Sequence, residues 1–305
     1  MSILVVGSVG LDDLQTPFGR RKGALGGAAT YFSTAASLYG RVSLVAVVGT
    51  DFPQEHVDFL AGRGVDLRGL QVAEGKTFRW SGRYDYDLNT AQTLDTQLNV
   101  FAQFHPELPA DYRSCEYIFL ANIDPELQIE VLKQVDEPRL TVLDTMNYWI
   151  DYKKDALTRA MTMVDVVLIN EAEARQYAQT FSLIRAVRKI LELGPEAVVV
   201  KRGEYGAVLY LRAGGDPCAS CFFVPAYPLE KIEDPTGAGD SFAAGFVGCL
   251  AGSADLSAEG LRRAVVHGSV VASFAVQGFS IDRLRTLKME EIEGRYDDFR
   301  RFVSF

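Results

Sequence analysis

Short, unbroken apolar runs separated by helix-forming segments constrain this chain more than any other feature. ILVVG (3–7), VSLVAVVG (42–49), YIFLAN (117–122), LTVLDT (140–145), VDVVLIN (164–170) and AVVVKRG (197–203) are six such runs. A strand buried on both faces has no polar side to alternate with, so it reads as a continuous hydrophobic stretch. GGAATYFSTAASLYG (26–40) predicts a glycine turn entering a helix, and 53–63 predicts a helix ending near Gly64. Strand and helix in alternation predict a parallel sheet with helices on both faces, an α/β core. AVVHGSVVASFAVQG (264–278) reads as a small-residue helix, suited to close packing on the helix that follows Asp240. The charged last thirty residues also read as helical.

The pattern breaks at GKTFRWSGRYDYDLNTAQTLDTQLNVFAQFHPELP (75–109), where polar residues alternate with aromatic and aliphatic ones. Period-two alternation predicts antiparallel β-structure inserted into the α/β body. Such an insertion is well placed to cover the carboxyl ends of the parallel strands, where α/β proteins bind ligands. It is read as a lid, with Phe78, Arg79, Trp80, Arg83 and Tyr84 as residues that reach the ligand; alternation sends about half of them the other way. A sheet extension or a dimer surface is the plainer reading, and a lid that also dimerises satisfies both. There is no internal repeat, low-complexity tract or flexible linker. The expectation is therefore one domain over 1–305, with 12–25 and 75–109 as the insertions forming the lid.

At 305 residues and 48% hydrophobic, the chain can bury a large core, and no apolar run approaches the roughly 20 residues that span a membrane. The N-terminus enters a strand pattern at once, so a cytoplasmic protein is expected. The net charge is −9 and no basic cluster exceeds Arg20, Arg21 and Lys22, which argues against nucleic acid as a partner. Cys115, Cys218, Cys221 and Cys249 are too few and scattered for a disulfide framework. Cys218 and Cys221 form one CxxC in an expected hairpin turn, with neither a second CxxC nor a nearby His to complete a zinc set. His56, His105 and His267 show no ligand spacing and read as surface or core residues.

The chemistry concentrates in IEDPTGAGDSFAAGFVGCLAG (232–252), a glycine-rich turn running into a helix. Gly237 and Gly239 allow the amides of 237–239 to converge on one point at the positive end of that helix, which suits a phosphate. Asp240 is either the N-cap of the helix or a general base set against the anion. LINEAEARQ (168–176) puts Asn170 at a strand end and Glu173 one helical turn on. VVVKRGEYGAVLY (198–210) reads as strand, glycine turn, strand, and GSVGLDD (7–13) sets Asp12 just past the first strand.

These segments, in this order and over nearly the whole chain, resemble the ribokinase-like, PfkB-type family of carbohydrate and nucleoside kinases. DPTGAGDSFAAGFV (234–247) matches its C-terminal signature. The resemblance implies a Rossmann-like three-layer α/β/α ribokinase-like fold with a small β-sheet lid. It implies Asp240 as catalytic base and the amides of Gly237, Ala238 and Gly239 as an anion hole for the transferred phosphoryl group. Asn170 and Glu173 match the NxxE motif that organises phosphates and, through water, magnesium. Lys201, Gly203 and Gly206 match the turn near the nucleotide base and ribose, with Thr236 and Ser269 as further nucleotide contacts. Asp12, Gly26 and Gly27 fall where the family binds substrate hydroxyls, and Tyr31, Phe78, Trp80 and Arg83 complete the expected substrate set. ATP and Mg²⁺ are implied as cofactors, with a monovalent cation left open. An exposed aromatic lid is easier to keep soluble as a dimer, so a homodimer through the lid is the expected assembly.

Two positions depart from the family pattern. Tyr31 stands where many of its sugar kinases carry a substrate-binding Asn, and Gly10 where another Asn is common. A tyrosine stacks on a ring or donates one hydroxyl, so a bulkier acceptor such as a nucleoside or cyclitol is favoured over a small pentose, unless Tyr31 is core packing. The leading expectation is an ATP-dependent kinase of a sugar, polyol or related alcohol, with a nucleoside kinase as its close variant. A non-catalytic sugar- or nucleotide-binding regulator would need no base. A dinucleotide-dependent oxidoreductase is disfavoured because no GxGxxG follows the first strand. With no GxxxxGK[ST] pattern, phosphate binding is expected to rest on backbone amides and magnesium, with little help from lysine.

Overall fold

The computed structural model describes residues 1–212 and 221–303. Its strands are β1 Ser2–Val6, β2 Gly10–Thr16, β3 Gly19–Gly26, β4 Arg41–Gly49, β5 Asp66–Ala73, β6 Phe78–Tyr84, β7 Ala91–Gln97, β8 Tyr117–Leu120, β9 Leu140–Asp144, β10 Val166–Asn170, β11 Ala197–Lys201, β12 Ala207–Leu211 and β13 Cys221–Val224. The helices are α1 Ala28–Ala36, α2 Gln54–Gly62, α3 Pro125–Leu132, α4 Asn147–Tyr152, α5 Lys154–Met161, α6 Glu171–Ala178, α7 Leu183–Leu191, α8 Ala238–Ser253, α9 Ala258–Ala275, α10 Asp282–Thr286 and α11 Met289–Val303.

All six apolar runs enter one nine-stranded sheet, ordered β13-β12-β11-β10-β9-β8-β1-β4-β5. The run from β11 to β5 is parallel throughout, and β12 and β13 close one edge antiparallel. Alternate residues of each strand feed separate cores. Ile3 and Val5 pack with α1, α8 and α9, while Leu4 and Val6 pack with α3, α5 and α7. Burial on both faces explains why these strands carry no polar alternation. α9 packs on α8 as its small residues require: a Cβ on Gly245 would lie 2.6 Å from the His267 carbonyl oxygen, and one on Gly268 2.9 Å from that of Phe242.

A second sheet, β3-β2-β6-β7, stands apart from the first. β2 pairs antiparallel with β3 and parallel with β6, and β6 pairs antiparallel with β7. Within 75–109, only β6 and β7 are strands; residues 99–103 form a 3₁₀ turn. Cys218 lies outside the described residues, and Cys221 opens β13. His267 is half-buried, its Nδ1 3.2 Å from the Tyr39 hydroxyl, and His56 is buried beside Phe52.

Candidate active site

The carboxyl ends of β1, β9, β10 and β11 deliver Ser8, Asp144, Asn170 and Lys201 to one edge of the large sheet, and the N-terminus of α8 points at the same edge. Gly237 caps α8 in the left-handed region at φ +74°. A Cβ there would fall inside contact distance of three carbons of the Tyr31 ring, so both its conformation and its surroundings exclude a side chain. The turn is stapled by Asp234, fully buried, whose two oxygens accept from the Thr236 and Ser280 amides, each at 2.9 Å. Burial raises the Asp234 pKa. Of the three amides expected to form the anion hole, that of Ala238 donates to the Pro235 carbonyl at 3.1 Å. The turn itself uses that donor, which leaves Gly237 and Gly239 for a ligand.

Asp240 lies in the first turn of α8, its pKa pushed up to about 7 by burial and then by the neighbouring Asp144 carboxylate, with Lys201 opposing. It makes no N-cap bond; Gly237 occupies that position. Asp12, on β2, is buried with Oδ1 unpartnered, and burial pushes its pKa up to about 8. Gly26 leaves the space that its carboxylate fills, because a Cβ there would collide with the carboxylate. Gly27, at φ +90°, caps α1 with its backbone against the Ser8 carbonyl.

Tyr31 is 1% exposed, with its ring beneath Gly237 and its hydroxyl unpartnered. It therefore supports the anion turn and offers no open ring face for stacking.

β6 divides its side chains as alternation demands. Gly10 pairs with Phe78 and Asp12 with Trp80, which places Phe78, Trp80 and Tyr84 on the face shared with Asp12. The Tyr84 hydroxyl accepts a hydrogen bond from Thr236 Oγ1 at 3.3 Å, joining the small sheet to the anion turn. Arg79 and Arg83 occupy the opposite face, where they meet Asp51 and Gln92 respectively. Arg83 was expected among the substrate contacts; the phase of the alternation turns it away. The tip of the β6–β7 connection reaches further, where Asn89 Nδ2 donates to Glu204 Oε1 at 3.2 Å beside Gly203.

Asn170 and Glu173 are engaged first with each other. The Asn170 amide donates to Glu173 Oε2 at 2.9 Å and the Glu173 amide to Asn170 Oδ1 at 2.8 Å, a reciprocal cap on α6. Burial pushes the Glu173 pKa up to about 7. Gly203 and Gly206 adopt positive φ in the turn between β11 and β12, as their residue type requires. Lys201 begins that turn, but its ammonium is directed to Asp144, at 2.6 and 2.9 Å, and lies 3.2 Å from where a Cβ on Gly239 would sit. Its side chain thus points to the anion turn, away from the Gly203–Gly206 loop. Ser269 is buried on α9.

Asp144, Asp234, Ser280 and Asn89 were not singled out from sequence. Asp144 had a readable signal, an acid ending the apolar run LTVLDT at the same sheet edge as Asn170. Among the described residues no cluster of three His, Cys, Asp or Glu forms a metal cage. The residues present suit a divalent ion carried mainly by phosphates and water, as Mg²⁺ usually is.

Comparisons with known proteins place the chain in a family. The chain is 33% identical over 254 residues to a cytidine kinase of Thermococcus kodakarensis, covering 81% of this chain and 87% of that protein. It is 29% identical over 275 residues to a nucleoside kinase of Methanothermobacter thermautotrophicus, covering 86% and 81%. Its fold matches the crystal structure of the Methanocaldococcus jannaschii nucleoside kinase, an archaeal member of the ribokinase family, at TM-score 0.77 and 21% identity, over 97% of this chain and 98% of that one. The model of the pfkB family carbohydrate kinases matches residues 3–283, nearly the whole chain, and the chain belongs to that family of kinases.

Proposed function

We propose that this kinase transfers the terminal phosphoryl group of ATP, with Mg²⁺, to a hydroxyl of a nucleoside, with Asp240 as the base. The observation that carries the chemistry is the half-buried Asp240 carboxylate beside the Gly237–Gly239 turn, its charge cost raised by Asp144 and in turn raising that of Asp12, whose Oδ1 is unpartnered. An anion site holding its own carboxylate repels a phosphate unless that carboxylate takes a proton during the reaction. The preference for a nucleoside over a free sugar rests on the cytidine and nucleoside kinases to which the chain is similar. Trp80, in register with Asp12 on the small sheet, offers the aromatic surface that Tyr31, being buried, does not.

In this reading Asp12 holds an acceptor hydroxyl group while Asp240 accepts the proton of the reacting one. The acceptor oxygen bonds to phosphorus as the bridging bond to ADP breaks. Magnesium, when bound, supplies charge neutralisation on the phosphate oxygens. Gly237 and Gly239 donate amides to the phosphoryl oxygens, and Gly203, Gly206 and Ser269 line the base and ribose end. Thr236, tied to Tyr84, sets the depth at which the small sheet closes. That sheet acts as a lid: its contacts at Thr236 and at Glu204 span the acceptor and nucleotide ends, so closure excludes water from both. It exposes Phe18 and Leu94, apolar surface through which a second copy would pair. No helix among the described residues is long and apolar enough to cross a membrane, and the cytoplasm is the proposed location.

The test is ADP release from ATP and Mg²⁺ against cytidine, other nucleosides, sugars and cyclitols, with Asp240→Asn in parallel. Nucleoside-dependent release, falling about 10²–10⁴-fold in the variant, is the expected result. Release driven by a sugar alone would overturn the acceptor assignment, and an active Asp240→Asn would overturn the base.

A further inference from the structure

We infer that Lys201 is the side chain that meets the terminal phosphoryl group of the nucleotide, and that Asp144 parks it there in the ligand-free protein. The inference rests on the kinase reading above and adds a residue to it.

Three observations converge. The Lys201 ammonium ends at the anion turn, 3.2 Å from the position of a Cβ on Gly239, so any side chain at 239 would crowd it by a few tenths of an ångström. It stands within electrostatic reach of three carboxylates, Asp144, Glu173 and Asp240. A single ammonium among three carboxylates leaves an excess of negative charge, and a triphosphate brought to that point needs every cation available. Finally, both hydrogen bonds of the ammonium found among the described residues go to Asp144, although an ammonium has three donors. One N–H is left for an oxygen held at the Gly239 turn.

Asp144 is built to keep its place when the lysine turns. Its Oδ1 also accepts the Thr145 amide at 2.9 Å, and its carbonyl accepts Gln128 Nε2 at 3.0 Å. Gln128, fully buried, simultaneously bonds the Ala121 carbonyl at 3.0 Å, which locks the ends of β8 and β9 together. As the phosphoryl group moves, the acceptor oxygen forms its bond to phosphorus, the bond to the ADP oxygen breaks and Asp240 receives the proton. Lys201 keeps its own proton throughout and contributes only charge and one hydrogen bond. Phosphate binding therefore does not rest on backbone amides and magnesium alone.

Lys201→Met by itself strands Asp144 as a buried, unpaired charge, so the informative protein is the double variant Lys201→Met/Asp144→Asn, in which that charge is gone. Titration calorimetry with Mg²⁺ and either ADP or the β,γ-imido analogue of ATP separates the terminal phosphate from the rest of the nucleotide. Both variants are expected to bind ADP within about threefold of wild type and the imido analogue about tenfold more weakly. Turnover is expected to fall about 10²–10³-fold in both, with the acceptor KM little changed. If Lys201 only neutralises Asp144, the double variant recovers wild-type turnover and loses neither nucleotide, and the inference is overturned. Equal loss of ADP and analogue overturns it as well. Should the wild type phosphorylate no acceptor, the kinase reading fails on its own, and the paired titrations still decide whether Lys201 meets the terminal phosphate.

Discussion

Two glycines in or beside the same helix should respond to alanine with opposite signs. Gly237 caps α8 at φ +74° with the Tyr31 ring against its α-carbon, whereas Gly252, near the other end of α8, is exposed with nothing within 4 Å of an added Cβ. At position 237 a left-handed alanine costs about 1–2 kcal/mol, and forcing a methyl into a closed contact with a buried ring adds about 1–3 kcal/mol. The sum is roughly 2–5 kcal/mol of lost stability. At position 252 alanine removes the helix penalty of glycine and fills only solvent, a gain of roughly 0.5–1 kcal/mol. Guanidinium unfolding followed by circular dichroism, on ligand-free protein at one pH, measures both.

The packing share can be isolated from the backbone share. Shrinking the ring with Tyr31→Leu should cost less in the Gly237→Ala background than in wild type, by about 1 kcal/mol or more, because the leucine relieves the clash that the methyl creates. The φ penalty stays, since no neighbour can remove it. Two results refute the reasoning: alanines that shift stability in the same direction, or a Gly237→Ala change within about 0.5 kcal/mol of wild type. Either would mean that the turn relaxes freely and that Tyr31 does not support it. With a rigid turn, Gly237→Ala also displaces the two open amides, so turnover falls further than stability alone explains.

Two pH effects follow from the buried acids. Asp240 must be ionised to act as base and its pKa is raised to about 7, so kcat/KM should fall about tenfold per unit as pH drops below about 7; Asp144→Asn removes the second cause of that rise and should move the limb to lower pH, whereas an unmoved limb assigns it to another group. Asp12, with its pKa raised from 3.8 to about 8, holds in the folded state a proton that the unfolded chain has lost, so its contribution is complete below about pH 4 and disappears as pH rises toward 8. Asp12→Asn, neutral throughout, should therefore gain stability relative to wild type between pH 5 and pH 8, by on the order of a few kcal/mol in urea unfolding; a constant difference across that window would mean that Asp12 is ionised in the fold.

What the sequence reveals and what it hides divide along physical lines. β1, β4, β8, β9, β10 and β11 were legible because burial on both faces leaves few polar residues in them, and their ends shift by only a residue or two. β5, DLRGLQVA, was not singled out: it is the outer strand, half-exposed, and its Asp, Arg and Gln break any run. β3, GRRKGALG, has the same disguise. The anion turn was legible at Gly237 because only the backbone freedom of glycine explains glycine there, yet the loss of the Ala238 amide to Pro235 depends on how the turn closes. Alternation along β6 announced that half its side chains face the site without fixing which half. The phase came from the pairing of Gly10 with Phe78, a contact 68 positions apart in the chain that local pattern does not encode.

The direction of Lys201 was hidden for the same reason, since its partner Asp144 is 57 positions away on a strand two places across the sheet. Taken together, the hidden features are charges. Asp12, Asp144, Glu173, Asp234 and Asp240 are drawn from β2, β9, α6 and the α8 turn into one region with Lys201 as the ammonium among them. No single segment shows that excess, and a fold selected only for stability would not assemble it. Asp12, Glu173, Asp234 and Asp240 are tolerable because the raised pKa lets each hold a proton, and for the same reason each becomes more costly as pH rises. Under the proposed chemistry Asp12 would hold the acceptor and Asp240 would take the transferred proton, so groups that weaken the empty protein are among those the reaction would use.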